Sequence, residues 1–530
     1  MNPPGLHRRF RTYYPVIPFL CSLLLLQSCS REHGPGRLDL DKLDGYMEKS
    51  RREWHVPGLA IAIVKDDSVV FARGYGVQEY GKPGRVDEHT LFSIASITKG
   101  FTSSALAMLE DEGKISWDEQ VQHYLPDFRL YDPCVSSEIR VRDLLCHRSG
   151  FKTFSGDLVW YETAYSPDEV LRRVRYLKPA YGFRYRYGYS NLMYLAAGEI
   201  VPSVTGMSWE AFVTGRILQP LGMERTFLRT LDFMGDPDVA MPHQVDLLDT
   251  TTLVLPFMNW DNCAPAGAMF SSVADLGRWI RFQLAMGNWN GQQLISGENL
   301  WETRELHTVR PLDMGSLNAW PPIHFSGYGL GWELYDYHGW KVIGHEGGTD
   351  GMLSRLVMVP EENFGFVILS NSISGITTAL EYYILDQYEQ GKSYDWSKLF
   401  LKDFIAYQED TRREWVEYLE SADRSVKPSL ELPGYEGIYG CDLYGNVEVR
   451  SEGGGLVLDF LPSDRMEGDL EHFSGDTFLI RLRNMPSLPQ GTVKFYLDAG
   501  GKASQIRVEI PSPDFDFTEL ELKKMIDKKN

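Results

Sequence analysis

The sequence predicts an α+β fold: an antiparallel sheet flanked by helices with a helix-rich inserted region, followed by a small all-β barrel or sandwich domain. Three observations predict it. Short β-rich runs lie near both ends of the region 38–408, and the stretch between them lacks regular β-α-β alternation. Beyond residue 434, short strands separated by glycine-rich turns take over.

In chain order, Leu38, Leu40, Leu43, Tyr46 and Met47 recur at roughly helical spacing and predict a helix over Leu38 to Trp54. Gly58 to Val64 and Ser68 to Gly74 are β-rich runs separated by Lys65-Asp66-Asp67, the composition of a hairpin. Trp340 to His345, Leu353 to Val359 and Phe364 to Leu369 predict three further strands, the last two joined by a turn through Pro360-Glu361-Glu362-Asn363. One sheet assembled from both chain ends follows. The charged stretch from Gln408 to Pro433 predicts a linker over 409–433. In the domain 434–530, strands are expected at Val447 to Arg450, Leu456 to Phe460, Thr477 to Arg481, Val493 to Leu497 and Gln505 to Ile510. No catalytic constellation stands out there, so an accessory role in packing, binding or covering is expected.

A chain of 530 residues exceeds what one core usually serves, in keeping with a large domain plus a smaller one. With 53 Lys and Arg against 73 Asp and Glu, the net charge of −20 argues against nucleic acid as a partner. The N-terminus has basic residues (Arg8, Arg9, Arg11), an apolar run from Val16 to Leu26, and then Gln27-Ser28-Cys29. That is the form of a signal peptide over 1–28, its end resembles a bacterial lipobox, and the apolar run is short for a bilayer crossing of about 20 residues. Cys29 is therefore expected to carry lipid, with 29–37 a spacer and the body exported and anchored to the cell envelope, facing the periplasm or the exterior. The remaining Cys134, Cys146, Cys263 and Cys441 are widely scattered, fit no zinc pattern and predict no disulfide.

The sharpest local feature is Ser96-Ile97-Thr98-Lys99 ahead of an amphipathic run. On a helix starting near Ser96, Ser96 and Lys99 share one face a turn apart. A serine hydroxyl needs a proton acceptor to attack, and a lysine with a depressed pKa can serve. Ser-x-x-Lys alone recurs by chance, and serine is a common helix cap. Tyr189-Ser190-Asn191 lies 93 residues beyond Ser96, and His345-Glu346-Gly347-Gly348 ends a predicted strand. No Gly-x-Ser-x-Gly occurs, which counts against an α/β-hydrolase. His147 reads as a packed histidine, and Ser272-Val273-Ala274-Asp275 as a helix cap.

With these three motifs in this order, the sequence resembles the serine β-lactamase and penicillin-binding-protein superfamily, in its class C-like branch. Val141 to Gly150, Gln219 to Met223 and Pro265 to Ser272 extend the resemblance, which covers roughly residues 40 to 375. It implies an acyl-enzyme on Ser96, with Lys99 and Tyr189 as the acid/base pair. Asn191 would orient substrate or the Lys99 ammonium, and the backbone N–H groups of Ser96 and Gly348 would form the oxyanion hole, with Gly347 and Gly348 close to substrate. No cofactor and no metal are implied; the partner is a peptide or small molecule with an ester or amide bond.

The chain departs from the pattern at His345, where class C β-lactamases carry lysine, and at Glu346, where a small hydroxyl residue is common. A half-charged imidazole beside a carboxylate suits a carboxylate-bearing β-lactam poorly, so a peptidase or esterase is expected over an efficient β-lactamase. Arg172, Arg173, Arg175, Lys178, Arg184 and Arg186 crowd a stretch without acids and read as a solvated face before a rim for anions; Trp160, Tyr161, Tyr165, Tyr181, Tyr185 and Tyr187 share the region, as substrate wall or as packing. The alternative is a non-catalytic penicillin-binding-like module that recognises cell-wall peptides.

Overall fold

A computed structural model of the chain describes residues 38–312, 323–389 and 394–525. The expected signal peptide, Cys29 and the spacer to residue 37 lie outside the described residues.

The central sheet has eight antiparallel strands in the order Thr308–Val309, Ser326–Tyr328, Glu333–Tyr337, Trp340–Thr349, Met352–Val359, Phe364–Ser370, Gly58–Lys65 and Ser68–Gly76. Both chain ends build it: Gly58–Lys65 pairs with Phe364–Ser370, placing Ala62 opposite Val367. The alternation along Gly58–Lys65 explains how both faces are covered. Leu59, Ile61 and Ile63 point into one core, shared with the helices Leu40–Glu53 and Ile376–Glu389. Ala60, Ala62 and Val64 point into the other, beneath the helical insertion. Small residues on that second face let the helix Val273–Leu284 approach, where a Cβ on Gly277 would meet Val69 at 3.0 Å. Ser272 caps that helix by accepting from the Asp275 N–H, as its sequence predicts.

The insertion holds the helices Thr98–Asp111 and Asn191–Thr205, both buried along most of their length. The strand Trp340–Thr349 packs edge-on against the turn that opens the first of them. A Cβ on Gly347 would lie 2.2 Å from the Ile94 carbonyl and 2.3 Å from Ser354 Oγ. Glycine is needed there by packing against the chain itself.

The expected linker requires correction at its start. A single helix, Trp396–Glu420, runs through residue 409, so the connection begins only after Glu420. The charges that suggested a linker form a solvated helix face; Arg412 pairs with Asp246 at 2.6 Å and Asp249 at 3.1 Å. A charge run looks the same in sequence whether it is a tether or an exposed helix.

The C-terminal domain is a closed barrel of eight strands, from Gly437–Cys441 to Leu522–Lys524, closed by pairing of Tyr439 with Lys524. The five expected strands are present, joined by Gly437–Cys441, Glu467–Ser474 and Leu522–Lys524. The barrel is not a loosely attached accessory. Its interior and the helical insertion share one continuous apolar cluster. At the seam Phe515 stacks on Tyr161 at 3.8 Å between ring centroids, the Tyr165 hydroxyl donates to the Tyr444 carbonyl at 2.7 Å, and Arg465 pairs with Glu162 at 2.9 Å. Cys134, Cys146, Cys263 and Cys441 are free thiols.

Two outcomes follow from this packing. Ending the chain at Glu420 should expose the Trp160–Tyr161 face, lowering the melting temperature and raising binding of an apolar dye; Phe515→Ala alone should cost about 3 kcal/mol in chemical unfolding. A soluble truncated chain with an unchanged melt would contradict the shared core. Gly347→Ala should destabilise by about 1–3 kcal/mol through overpacking, whereas Gly348→Ala, which meets only Leu353 at 3.6 Å, should melt like the wild type.

Candidate active site

Ser96 sits in a short 3-10 turn, Ala95–Ile97, that leads into the helix Thr98–Asp111. Ala95 just before it has φ 42°, a left-handed conformation that non-glycine residues adopt at a cost and that persists only where the surroundings impose it. The turn presents Ser96 Oγ to Lys99, one helical turn on. Lys99 is fully buried, and its Nζ lies 3.0 Å from Ser96 Oγ. The same nitrogen donates to Asn191 Oδ1 at 2.7 Å and to the Ala266 carbonyl at 2.7 Å. Both acceptors are fixed, so the third position on Nζ faces the serine. Burial pushes the Lys99 ammonium down to about 7, against the opposing pull of the Cys263 thiol and the Asp157 carboxyl.

Tyr189 lies in the loop before the helix Asn191–Thr205. Its backbone accepts from the Phe154 N–H at 2.9 Å and donates to Thr153 Oγ1 at 3.2 Å, and its hydroxyl is turned toward Ser96. Burial holds this phenol well above its ordinary pKa. The Lys99 ammonium stands 4.7 Å from its ring centroid. His147 packs on the other side of Tyr189 at 4.1 Å between ring centroids, and its Nδ1 accepts from the Ser190 N–H at 3.1 Å. Burial first, then the Lys99 charge, keeps His147 neutral, so it props the tyrosine loop as a packed histidine.

Asn191 opens its helix, with the carboxamide between two partners: Oδ1 accepts from Lys99, and Nδ2 donates to Asp157 Oδ2 at 2.7 Å. Asp157 is a buried carboxyl that the sequence did not single out. Burial raises it to about 7, opposed by the nearby Trp160 indole, by the hydrogen bond from Asn191 and by the nearby Lys99.

His345 corrects an expectation. It is buried and lowered to about 4 by desolvation, which outweighs the pull of Glu333, so it is neutral at pH 7 and not half-charged. Its Nε2 lies 2.7 Å from the Tyr328 hydroxyl and its Nδ1 faces the Glu346 carbonyl, which fits an Nδ1–H tautomer accepting at Nε2. Glu346 lines the cleft, with its carboxylate 3.7 Å from Arg355. Arg355 in turn pairs with Glu381 at 2.7 Å and Glu333 at 3.1 Å. Burial raises the Glu346 carboxyl, opposed by Arg355. Gly348 lines the cleft, whereas Gly347 is the residue that chain packing restricts to glycine.

These groups share a cleft of about 540 Å³ with Ser96, Tyr189 and Asn191 in its floor. Phe154, Trp160, Tyr187, Trp260 and Phe515 supply aromatic walls, and Glu346, Asp350 and Asp514 supply carboxylates. Asp514 and Phe515 come from the barrel domain. Asp350 ties the domains together, accepting from the hydroxyls of Tyr161 at 2.9 Å and Ser487 at 2.7 Å. Arg310 also faces the cleft but pairs with Glu333 at 2.9 Å; burial pulls the Glu333 carboxyl upward, while Arg310 and Arg355 hold it down at about 2. None of the six cations from Arg172 to Arg186 lines this cleft. Arg172 and Arg173 pair with Glu169, Lys178 with Glu521 and Arg184 with Asp143.

The sequence missed Asp157, Trp260, Arg310, Glu333 and the barrel segment around Phe515. Asp157 stands in Ser155-Gly156-Asp157, which reads as an ordinary polar turn, and nothing local tells a buried carboxyl from an exposed one.

Known proteins resemble this chain in sequence and in fold. A beta-lactamase family model matches residues 43–388, and a model described as a domain of unknown function, DUF3471, matches 421–524. The unguisins hydrolase ungD of Aspergillus violaceofuscus (strain CBS 115571) is 29% identical over 483 residues, 83% of each chain. Protein flp of Staphylococcus aureus (strain NCTC 8325 / PS 47) is 27% identical over 362 residues, 67% of each chain. Among solved structures, the octameric penicillin-binding protein homologue from Pyrococcus abyssi shares the fold at a TM-score of 0.60 and 23% identity, covering 92% of this chain and 100% of that one. The D-amino acid amidase from Ochrobactrum anthropi SV3, complexed with L-phenylalanine amide, does so at 0.53 and 22%, covering 66% and 98%. With the family model spanning most of the chain and the fold to match, this chain belongs to the beta-lactamase family of serine hydrolases, extended by a C-terminal β-barrel domain.

Proposed function

We propose that the protein cleaves an ester or amide through an acyl-enzyme on Ser96, with Lys99 and Tyr189 as the acid/base pair. The observation that carries this reading is the Lys99 amine, 3.0 Å from Ser96 Oγ, with its two other bonding directions taken by Asn191 and Ala266. In its neutral form the lone pair faces the serine hydroxyl. Lys99 takes the Ser96 proton as Oγ attacks the carbonyl carbon, and the N–H groups of Ser96 and Gly348 receive the developing oxyanion. Tyr189, kept a phenol by burial, gives its proton to the leaving nitrogen or oxygen. The ammonium above its ring stabilises the phenolate, and the proton on Lys99 restores it. Water then attacks the acyl carbon with the pair acting in reverse, and Ser96 regains its proton. A non-catalytic binding module would have no use for a lysine buried and neutralised against a serine.

Substrate preference follows from charge. His345 is neutral, Arg310 is engaged by Glu333, and the cleft carries Glu346, Asp350 and Asp514. Esters and amides that are neutral or bear an amino group fit it better than β-lactams with a carboxylate, so a peptidase or esterase is favoured over an efficient β-lactamase. An unguisins hydrolase and a D-amino acid amidase among the similar proteins support a hydrolytic reading, the second by its name for an amide. The basic and apolar N-terminus with Cys29 supports export and lipid anchoring of this activity.

Ser96→Ala should abolish labelling by a fluorophosphonate and reduce turnover by at least ~10³-fold with an unchanged melt; Lys99→Ala and Tyr189→Phe should each cost roughly 10²- to 10⁴-fold. Because the neutral amine is the active form, kcat/KM should rise with pH through about 7, and His345→Gln should leave that limb in place. Labelling of another serine would refute the assignment. For selectivity, Glu346→Gln combined with Asp514→Asn should raise kcat/KM for a carboxylate-bearing β-lactam relative to a neutral ester by roughly five-fold per charge removed. An unchanged ratio would show that these carboxylates do not meet the substrate.

A further inference from the structure

The Asn191 carboxamide presents Oδ1 to Lys99 only while its Nδ2 has an acceptor on the far side, and Asp157 is that acceptor. A flipped amide would set N–H against N–H at Lys99 and oxygen against oxygen at Asp157. The geometry of the lysine therefore depends on where Asp157 stands. Asp157 opens a 3-10 turn, Asp157–Val159, preceded by Gly156 at φ 80°. A Cβ on Gly156 would lie 2.7 Å from Leu177 and 2.8 Å from Leu192, so this glycine lets the turn sink beneath the Asn191 helix.

What holds the turn from outside belongs to the other domain. Glu519, at the end of the barrel's 3-10 turn Phe517–Glu519, accepts from the Ser155 hydroxyl through one carboxylate oxygen and from the Gly156 N–H at 2.7 Å through the other. Both donors immediately precede Asp157. Nearby, Lys152 reaches Asp516 at 3.0 Å.

We propose that Glu519 of the barrel is a positioning residue for the Lys99 base, acting through the Ser155–Gly156–Asp157 turn and the Asn191 carboxamide. The proposal rests on the reading of Ser96 and Lys99 as the reacting pair. It gives the C-terminal domain a task in the chemistry: without its clamp, the turn relaxes, Asn191 loses its fixed partner, and Lys99 loses the acceptor that aims its lone pair at Ser96.

The charges facing Lys99 fix the sign of the pH effect. Asp157 and Cys263 raise its pKa, His147 and His345 are neutral, and Tyr189 and Tyr194 present ring faces at 4.7 Å and 5.2 Å. Glu519, farther out, acts on Asp157, whose carboxyl it raises. Neutralising Asp157 thus lowers the Lys99 pKa and moves the acid limb of Ser96 reactivity to lower pH.

The test measures the rate at which a fluorophosphonate labels Ser96 in the full chain between pH 5 and 9. Asp157→Asn should move the acid limb down by at least about half a pH unit. Glu519→Ala should slow labelling about ten-fold, as should Asp157→Ala, which removes the acceptor for Asn191 Nδ2, and the two together should change the rate less than two-fold beyond either alone, since both act on one chain of contacts. Glu519→Gln, which still accepts from the Gly156 N–H, should stay within about three-fold of the wild type. Glu521→Ala breaks the Lys178 bridge across the same seam at 2.6 Å and should leave the rate unchanged. Should Glu519→Ala fail to fold, Ser155→Ala removes one clamp bond and should show the same non-additivity at smaller amplitude. The proposal is overturned by a wild-type rate in Glu519→Ala, by additive losses in the double variant, or by an equal loss in Glu521→Ala. Failure of wild-type Ser96 to label at all overturns the acyl-enzyme reading and this proposal together, whereas normal wild-type labelling with an indifferent Glu519 overturns this proposal alone.

Discussion

Removing a lysine ammonium from water is costly, and the helical insertion is organised around doing so once. Lys99 is fully buried, and the groups that receive it come from distant parts of the chain: Ser96 beside it, Asn191 at the head of one helix, Ala266 in a short turn. Each must reach hydrogen-bond distance of one nitrogen, because a buried donor without a partner would cost more than the bond contributes. Several sequence features follow from that demand. Thr102 on the next turn donates to the Pro265 carbonyl at 2.7 Å, fixing the helix to the Ala266 turn. Gly198 is glycine because a Cβ there would lie 2.2 Å from the Pro265 ring.

The other side of the cleft meets the same constraint differently. Arg355 is buried against Glu381, Glu333 and Glu346, and Arg310 against Glu333. The two arginines and three carboxylates leave one negative charge in excess when all are ionised, and the raised Glu346 carboxyl is where burial opposes it. His345 stays neutral within this ring of charge, its polarity spent on Tyr328 and the Glu346 carbonyl. A cleft whose lining arginine is engaged internally has little to offer a carboxylate, in keeping with the preference for neutral or amino-bearing groups proposed above.

Much of this was legible in the sequence where periodicity or motif order carried it. The sheet from both chain ends followed from β-rich runs bounded by turn residues, and Ser96 and Lys99 stand together through helical spacing, while Tyr189 and Asn191 join them as the resemblance to the β-lactamase superfamily implied. Tertiary contact alone decided the rest. The barrel strand Glu467–Ser474 alternates Gly468 and Leu470 inward with Asp469 and Glu471 outward, too polar to announce itself. Residues 409–420 are charged on an exposed helix and looked like a tether. His345 was expected to titrate near neutrality because the sequence gives its type but not its burial, and Asp157 looked like a turn residue for the same reason.

The groups we propose to react all lie in the hydrolase domain, while part of the cleft wall comes from the barrel, which on that reading separates the two problems an enzyme must solve. Proton transfer demands fixed distances, and Ser96, Lys99, Tyr189 and Asn191 have them from helices packed into one core. Selectivity demands a surface that can differ without disturbing those distances, and the segment carrying Asp514 and Phe515 is a connection between barrel strands, free of the sheet's register. The separation is incomplete, since Phe515 also stacks on Tyr161 and Asp350 joins Tyr161 to Ser487 across the seam. A change in the wall that kept Phe515 and those hydroxyl contacts could alter what enters the cleft, while a change that broke them would reach Trp160 and, through it, the Asp157 turn beneath the lysine.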